Sequence, residues 1–385
     1  MGGAIVRVAG ALIAVLFLEA GTPATADGLD HWTQRASGVR GNLCGVAYGK
    51  GQYVCVGQVG TILVSSDGTS WESVRSGVTS DLSAVTFANG QFLAVGQRGL
   101  ILKSTNAVDW LPPTSPTTNQ LNNVGPCGEV FVATGNAGTL LTSPDGSAWT
   151  TQSSGTPMTL VGCAFGNCLF LAVGRGSSNP GTALTSSNAV DWVDRSYPQL
   201  GVGFYSVSFG NGMFVAFDVR GIACTSTDGI SWSSRWTVTS DYVFGSTFAQ
   251  GLFVGVGGPY SGGSQKVVTS PDGRTWRLRS VATGHSGSLR AVTYGNGYFV
   301  AVGDQGLILQ SDPVFTLRLA GISGGVPVLL LDGERSRTYD VQTCDDLAHP
   351  NWTDLLRITN TAEVTAFPDA PAGDHPVRLY RAVSL

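Results

Sequence analysis

The stretch LSAVTFANGQFLAVGQRGLILKSTNAVDW, Leu82 to Trp110, decides the fold. It divides into three short apolar runs, Leu82 to Phe87, Gln91 to Gly96 and Gly99 to Ser104, followed by a polar turn and a tryptophan. The runs are rich in Val, Phe, Leu, Ile and Thr, which suit a pleated, half-buried surface. Asn89-Gly90 supplies the left-handed backbone of a tight hairpin between the first two. No window carries a sustained helical period of apolar residues.

The same pattern returns along the chain, for example from Leu289 through Gly295-Asn-Gly297 and Tyr298-Phe-Val-Ala-Val-Gly303 to Ser311. Trp32, Trp71, Trp110, Trp149, Trp192, Trp232 and Trp276 follow one another at intervals of 39, 39, 39, 43, 40 and 44 residues. Four strands in about 40 residues make one blade of a β-propeller. One position in the second strand is small in every copy: Cys55, Ala94, Ala133, Ala172, Ala216, Gly255 and Ala301. That fits the crowded interior of a closed ring and makes Cys55 a substitute for Ala. The last copy stops at Ser311-Asp312-Pro313 without a tryptophan, and the missing strand stands at the other end of the chain, around Trp32. The expectation is an all-β, seven-bladed propeller of four-stranded blades, closed by its N-terminal strand.

Length and charge bound the rest. The 385 residues carry a formal charge of -4, only 12% charged side chains and three Lys (Lys50, Lys103, Lys266). No basic surface for nucleic acid is visible. Met1 to Ala26 reads as an export signal, with Arg7, the apolar run Val8 to Leu18 and Ala24-Thr-Ala26 as a cleavage site. No later run reaches the length of a membrane-spanning helix. The division expected is 1–26 signal, 27–313 propeller and 314–385 a small C-terminal β-sandwich. Export permits disulfides, and among the seven Cys a Cys127–Cys168 bridge is one possible pairing. The four His are scattered and no C-x-x-C occurs, so neither a metal site nor a cofactor is expected.

Between third and fourth strands stand Ser65-Ser-Asp67-Gly-Thr-Ser-Trp71 and its relatives at Asp145, Asp228 and Asp272, with Asn106 and Asn188 in two variants. The acidic or amide side chain accepts bonds from its own turn, and Gly supplies positive φ. These repeats resemble the Asp-box (BNR) repeats of sialidase-like propellers and the seven-bladed photosystem-assembly-factor type. The turn is about one residue shorter than the usual box. The resemblance implies a structural role for Asp67, Asn106, Asp145, Asn188, Asp228 and Asp272, away from any active site. Sialidases of this fold carry a Phe/Tyr-Arg-Ile-Pro motif, and no Arg-Ile-Pro occurs here. Gly284-His-Ser-Gly-Ser288 misses the last Gly of a nucleophile elbow. No catalytic residue is assigned.

A ligand is expected on the face that gathers the loops between second and third strands and between blades. Candidates there are Arg98, Arg175, Arg220, Trp236, Asp241, Tyr260, Asp304 and Gln305. Arginines suit an anion, and exposed aromatics suit a sugar or a protein partner. Beyond Pro313, segments such as Thr338-Tyr-Asp-Val-Gln342 and Arg378-Leu-Tyr-Arg-Ala-Val383 alternate as strands. They resemble the fibronectin-III-like C-terminal modules of secreted bacterial proteins, which implies a spacer or surface-attachment role. The reading is an exported, monomeric binding or scaffolding protein for an extracellular glycan or protein. The alternatives are a glycoside hydrolase and a protein assembly factor.

Overall fold

A computed structural model describes residues 3–8, 11–16, 28–176, 181–196, 203–235, 241–259, 263–279, 281, 283–323, 326–332, 338–344, 353–359, 364–368 and 377–384. Their chain forms two compact units. The larger is a ring of seven antiparallel sheets. Counting from Leu43, the first blade pairs Leu43–Gly49, Gln52–Gly57, Ile62–Ser65 and Glu72–Val74 in sequence order. Blades three to six repeat this order with first strands Leu121–Cys127, Thr159–Gly166, Phe204–Gly210 and Tyr242–Ala249. First strands of successive blades pack side by side around the ring, and that of the seventh, Leu289–Gly295, packs on that of the first.

The seventh blade takes its fourth strand, Trp32–Arg35, from the N-terminal end of the chain, as the missing tryptophan after Ser311 predicts. Asp30 anchors this strand to the sixth blade by ion pairs of 2.9 Å to both Arg277 and Arg279. The closure gives the seventh blade the outer strand that its own stretch of chain lacks. The second blade departs from the pattern. Its fourth strand shrinks to a single bridge between Lys103 and Leu111, because Pro112 and Pro113 follow and offer no N–H to the ladder.

The core lies between blades. Second strands are buried almost throughout, with Cys55, Ala94, Ala133, Ala172, Ala216 and Ala301 fully so. The first strand of several blades ends in glycine for a packing reason. A Cβ on Gly210 would stand 2.0 Å from the ring of Phe248, and one on Gly295 would stand 2.1 Å from Tyr48. The aromatic ring of one blade therefore lies directly on the backbone of the blade before it.

The recurrent turns hold the outer strands. Asp67 Oδ1 accepts from the N–H of Thr69 at 2.8 Å and of Ser70 at 3.0 Å, while Ser65 Oγ takes the N–H of Gly68 at 2.8 Å. Trp71 Nε1 donates to Gly68 O at 3.0 Å. Partial burial opposes ionisation of Asp67, but the bonds from Thr69, Ser70 and Ser65 outweigh it and hold the carboxyl at about 2. Asp228 is held at about 2 in the same way, and Asp145 and Asp272 are also lowered. In the asparagine variants the extra amide N–H finds an acceptor three residues on. Asn106 Nδ2 donates to Asp109 at 2.8 Å and Asn188 Nδ2 to Asp191 at 2.9 Å.

The smaller unit contains two sheets. One orders Thr316–Ser323, Val326–Asp332 and Val364–Pro368; the other orders Gly3–Val8, Ala11–Leu16, Val377–Ser384, Thr338–Cys344 and Thr353–Thr359. Leu317, Leu329, Leu331, Tyr339, Val341 and Tyr380 from the two sheets share one buried cluster. Part of the segment read as an export signal thus forms a hairpin, and its second strand runs parallel to Val377–Ser384. No helix among the described residues is long and apolar enough to cross a membrane. All seven cysteines are unbridged. The Cys127–Cys168 pairing does not form, because Cys127 is buried in the seam toward the fourth blade while Cys168 is exposed at a hairpin turn.

Candidate functional site

Near the start of each first strand the ladder slips by one residue. The slips lie between Leu43 and Gly45, Leu82 and Ala84, Leu121 and Asn123, Leu160 and Gly162, Phe204 and Ser206, and Val243 and Gly245. Each leaves one bulged residue unpaired: Cys44, Ser83, Asn122, Val161, Tyr205 and Phe244. Arg290 holds the corresponding place in the seventh blade. A bulge re-aims its side chain, and here all seven side chains are half-buried.

These positions follow one another around the ring axis. Tyr205 and Phe244 meet edge to face, with centroids 5.0 Å apart. Tyr242 stacks on Phe244 at 5.5 Å and 16°. The guanidinium of Arg290 lies 5.7 Å from the Phe244 centroid, and that of Arg175 lies 4.7 Å from Tyr205. On the other side Asn122 Nδ2 donates to Leu160 O at 2.9 Å and to Asn136 Oδ1 at 3.0 Å. Burial pushes the Cys44 thiol up to about 11, against the lowering field of Arg290 and with smaller raising contributions from Asp81 and Asp304. Cys44 is therefore a neutral thiol at physiological pH.

The result is a lopsided ring. Blades one to four contribute small or polar groups, and blades five to seven contribute two aromatics and an arginine. Arg175, Tyr205, Tyr242, Phe244 and Arg290 form one continuous arc of cations on aromatic faces, an arrangement that attracts both apolar and anionic groups.

The loop residues singled out from sequence fall into three groups. Arg175 and Asp304 belong to this arc or border it, since Asp304 Oδ1 accepts from Arg290 Nε at 2.5 Å and its Oδ2 accepts from Ser288 N–H at 3.1 Å. Arg220, Asp241 and Gln305 are tied into the scaffold. The buried Asp218 carboxylate takes Arg220 Nε at 2.9 Å, Nη2 at 2.6 Å and the Ile222 N–H at 3.0 Å. Asp241 pairs with Lys266 at 3.4 Å. Gln305, at φ 55°, donates its N–H to Asn42 Oδ1 at 3.0 Å. Arg98, also left-handed at φ 57°, is exposed, and no carboxylate pairs with it among the described residues. Arg98, Arg175 and Arg220 thus stand in three different settings. Trp236 and Tyr260 lie outside the described residues.

Sequence reading passed over Tyr205, Tyr242, Phe244 and Arg290. For Tyr205, Phe244 and Arg290 a signal was present: the residue after the strand-opening Leu, Phe or Val is small or polar in four copies and large in three.

No protein-family model and no curated protein sequence matches the chain. Solved structures do. YCF48 from Cyanidioschyzon merolae superposes with a TM-score of 0.57 at 15% identity, over 73% of this chain and 98% of that one. A structure of YCF48 bound to D1 peptide gives 0.58 at 16% identity, over 74% and 99%. Virginiamycin B lyase from Staphylococcus aureus gives 0.64 at 8% identity, over 74% and 99%. At these identities the likeness is one of fold, and the chain is a seven-bladed β-propeller with YCF48 and virginiamycin B lyase among its structural neighbours.

Proposed function

We propose that this protein is an exported binding propeller that holds an extended segment of a partner protein at the arc of Arg175, Tyr205, Tyr242, Phe244 and Arg290. The observation that carries this reading is the break in repeat symmetry. Six or seven copies keep one residue class at the turns and in the second strands, yet the bulge position changes from small to aromatic or cationic over one contiguous arc. A structural repeat has no packing need for that change. The segment favoured is one that pairs apolar side chains with carboxylates. Aromatic faces take the first, and guanidinium edges left free by stacking take the second.

The carboxylates bordering the arc favour binding over hydrolysis. Asp218, opposite Phe204 in the fifth blade, accepts at Oδ1 from the N–H groups of Arg220 and Ile222 and at Oδ2 from the Arg220 guanidinium. Asp304 likewise uses both oxygens on N–H donors. These are carboxylates that position backbone, with no free oxygen turned to a proton-transfer task. That the fold accommodates a peptide is illustrated by the YCF48 structure with its D1 peptide. The encounter is proposed to lie outside the cytoplasm, a reading that rests on the export signal expected in 1–26.

The test is a peptide array and a glycan array, each probed with wild type and with a Tyr205→Val, Phe244→Val double variant. Val is the residue the fourth blade carries at this position, Val161, so the variant copies a bulge that already folds. Binding of acidic-apolar peptides by wild type alone supports the proposal. Binding of glycans alone transfers the same arc to sugar stacking. Peptide binding that survives in the variant removes the arc from the function.

A further inference from the structure

Two cysteines break the repeat at different positions, and the fold brings them together. Cys127 closes the first strand of the third blade, where the other blades have Gly49, Ala88, Gly166, Gly210, Ala249 and Gly295. Cys163 lies in the middle of the first strand of the fourth blade, where the others have Val46, Val85, Val124, Val207, Ser246 and Val292. At every other seam both positions lack sulfur. At the seam between blades three and four both carry it, and both side chains enter one cluster with Val132, Phe165 and Phe170.

The two thiols face each other across this seam, close enough for Cys163 to raise the Cys127 pKa. The Cys163 Sγ lies 3.5 Å from Val132 O and 3.7 Å from Asn123 Oδ1. A Cβ placed on Gly125 would stand only 3.3 Å from the same sulfur, so Cys163 is pressed onto the third blade's first strand. The two first strands run side by side along this seam, and a disulfide requires them to bring the two Cα atoms to about 4.4–6.8 Å.

We propose that Cys127 and Cys163 form an inter-blade disulfide in an oxidising compartment, which rests on the export read from residues 1–26. The oxidant is a protein or small-molecule disulfide. One cysteine thiolate attacks it, forming a mixed disulfide and releasing one carrier thiolate. The second cysteine thiolate then displaces the remaining carrier sulfur, leaving Cys127 bonded to Cys163. Two electrons pass to the carrier, which leaves as two thiols once the two protons are returned to it. The facing Cys163 thiol and burial both raise the Cys127 pKa, so the thiolate is scarce once the seam has closed. The exchange therefore belongs to folding, before blades three and four dock. Cys168 is exposed and five residues further on, and it remains a free thiol.

The test refolds the full chain in a glutathione redox buffer, blocks free thiols in denaturant, and maps linked peptides by mass spectrometry without reduction. Two fewer than the seven thiols are expected to react before reduction, with a linked peptide pair containing Cys127 and Cys163. The control is a Cys127→Ala, Cys163→Val variant, which restores residues that other blades use at these places. It should fold, show no linked pair and lose the rise in denaturation midpoint that oxidation gives wild type. Seven reactive thiols in oxidised wild type, or a link from Cys127 to Cys168 instead, overturns the proposal.

Discussion

Arg290 and Asp304 hold each other at 2.5 Å, Nε to Oδ1, and this fixes the guanidinium beside Phe244 at the end of the aromatic arc. The bond joins the first strand of the seventh blade to its loop between second and third strands. It uses the inner nitrogen of the fork and so determines which edge of the arginine is left for a ligand. Replacing Asp304 with Ala removes the acceptor for both Arg290 and the Ser288 N–H. The expected cost is about 1–3 kcal/mol of folding stability, read by urea unfolding, together with weaker binding of acidic peptides. An unchanged affinity would show that Arg290 needs no orientation.

The polar turns provide a second expectation. Asp145→Ala strips the acceptor from the N–H groups of Ser147 and Ala148 and is expected to cost about 1 kcal/mol. Asp145→Asn keeps that acceptor and should cost less than half as much. The same pair of substitutions at Asp228 should rank identically, because its bonds to Ile230 and Ser231 repeat the geometry. Chemical denaturation of the four variants checks the ranking.

Acid stability follows from the same turns. Asp67 and Asp228 are held at about 2, below the ordinary carboxylate value. Because these folded values are depressed, their stabilising contribution is complete above the unfolded value near pH 4 and is lost as pH falls toward 2. The melting temperature should therefore drop through that window. In an Asp67→Asn, Asp228→Asn variant the drop should be shallower. Equal slopes for variant and wild type would remove the turns from the acid response.

Closure of the ring gives a fourth expectation. Arg279 is buried and is held by Asp30 and by Thr269 Oγ1 at 2.8 Å. Asp30→Ala leaves that guanidinium in the protein without its carboxylate, a loss of about 3 kcal/mol. Hydrogen exchange should accelerate first in Trp32–Arg35 and Ile308–Ser311, the strands joined by the closure.

How much of this was legible in the sequence varied with the physics involved. Ring closure could be read from Ser311 and Trp32, because a tryptophan missing at one end and present at the other has one simple resolution. Small second-strand residues such as Ala94 and Ala301 marked the crowded depth of a blade, since crowding acts directly on residue size. The short fourth strand of the second blade was written in Pro112-Pro113 but hidden by the Trp110 rhythm. The binding arc was harder to see. A bulge shifts which side chains share a face without changing any residue type, so Tyr205, Phe244 and Arg290 looked like strand residues until the register placed them. The Cys127–Cys163 contact was missed for a related reason. Chain distance suggested turns of adjacent repeats, whereas the contact depends on which faces of two neighbouring sheets oppose each other.

The fourth strand of the seventh blade has a consequence for how the molecule is made. Trp32–Arg35 is synthesised near the start, yet its partner Ile308–Ser311 comes last among the strands of the ring. At roughly 5–20 residues per second, the early strand waits for tens of seconds or less than a minute with its hydrogen-bonding edge unsatisfied. Through that interval the nascent chain is an open crescent with two sticky ends. A holdase during transit, or passage through a membrane pore before folding begins, would keep those ends from finding another crescent instead of each other.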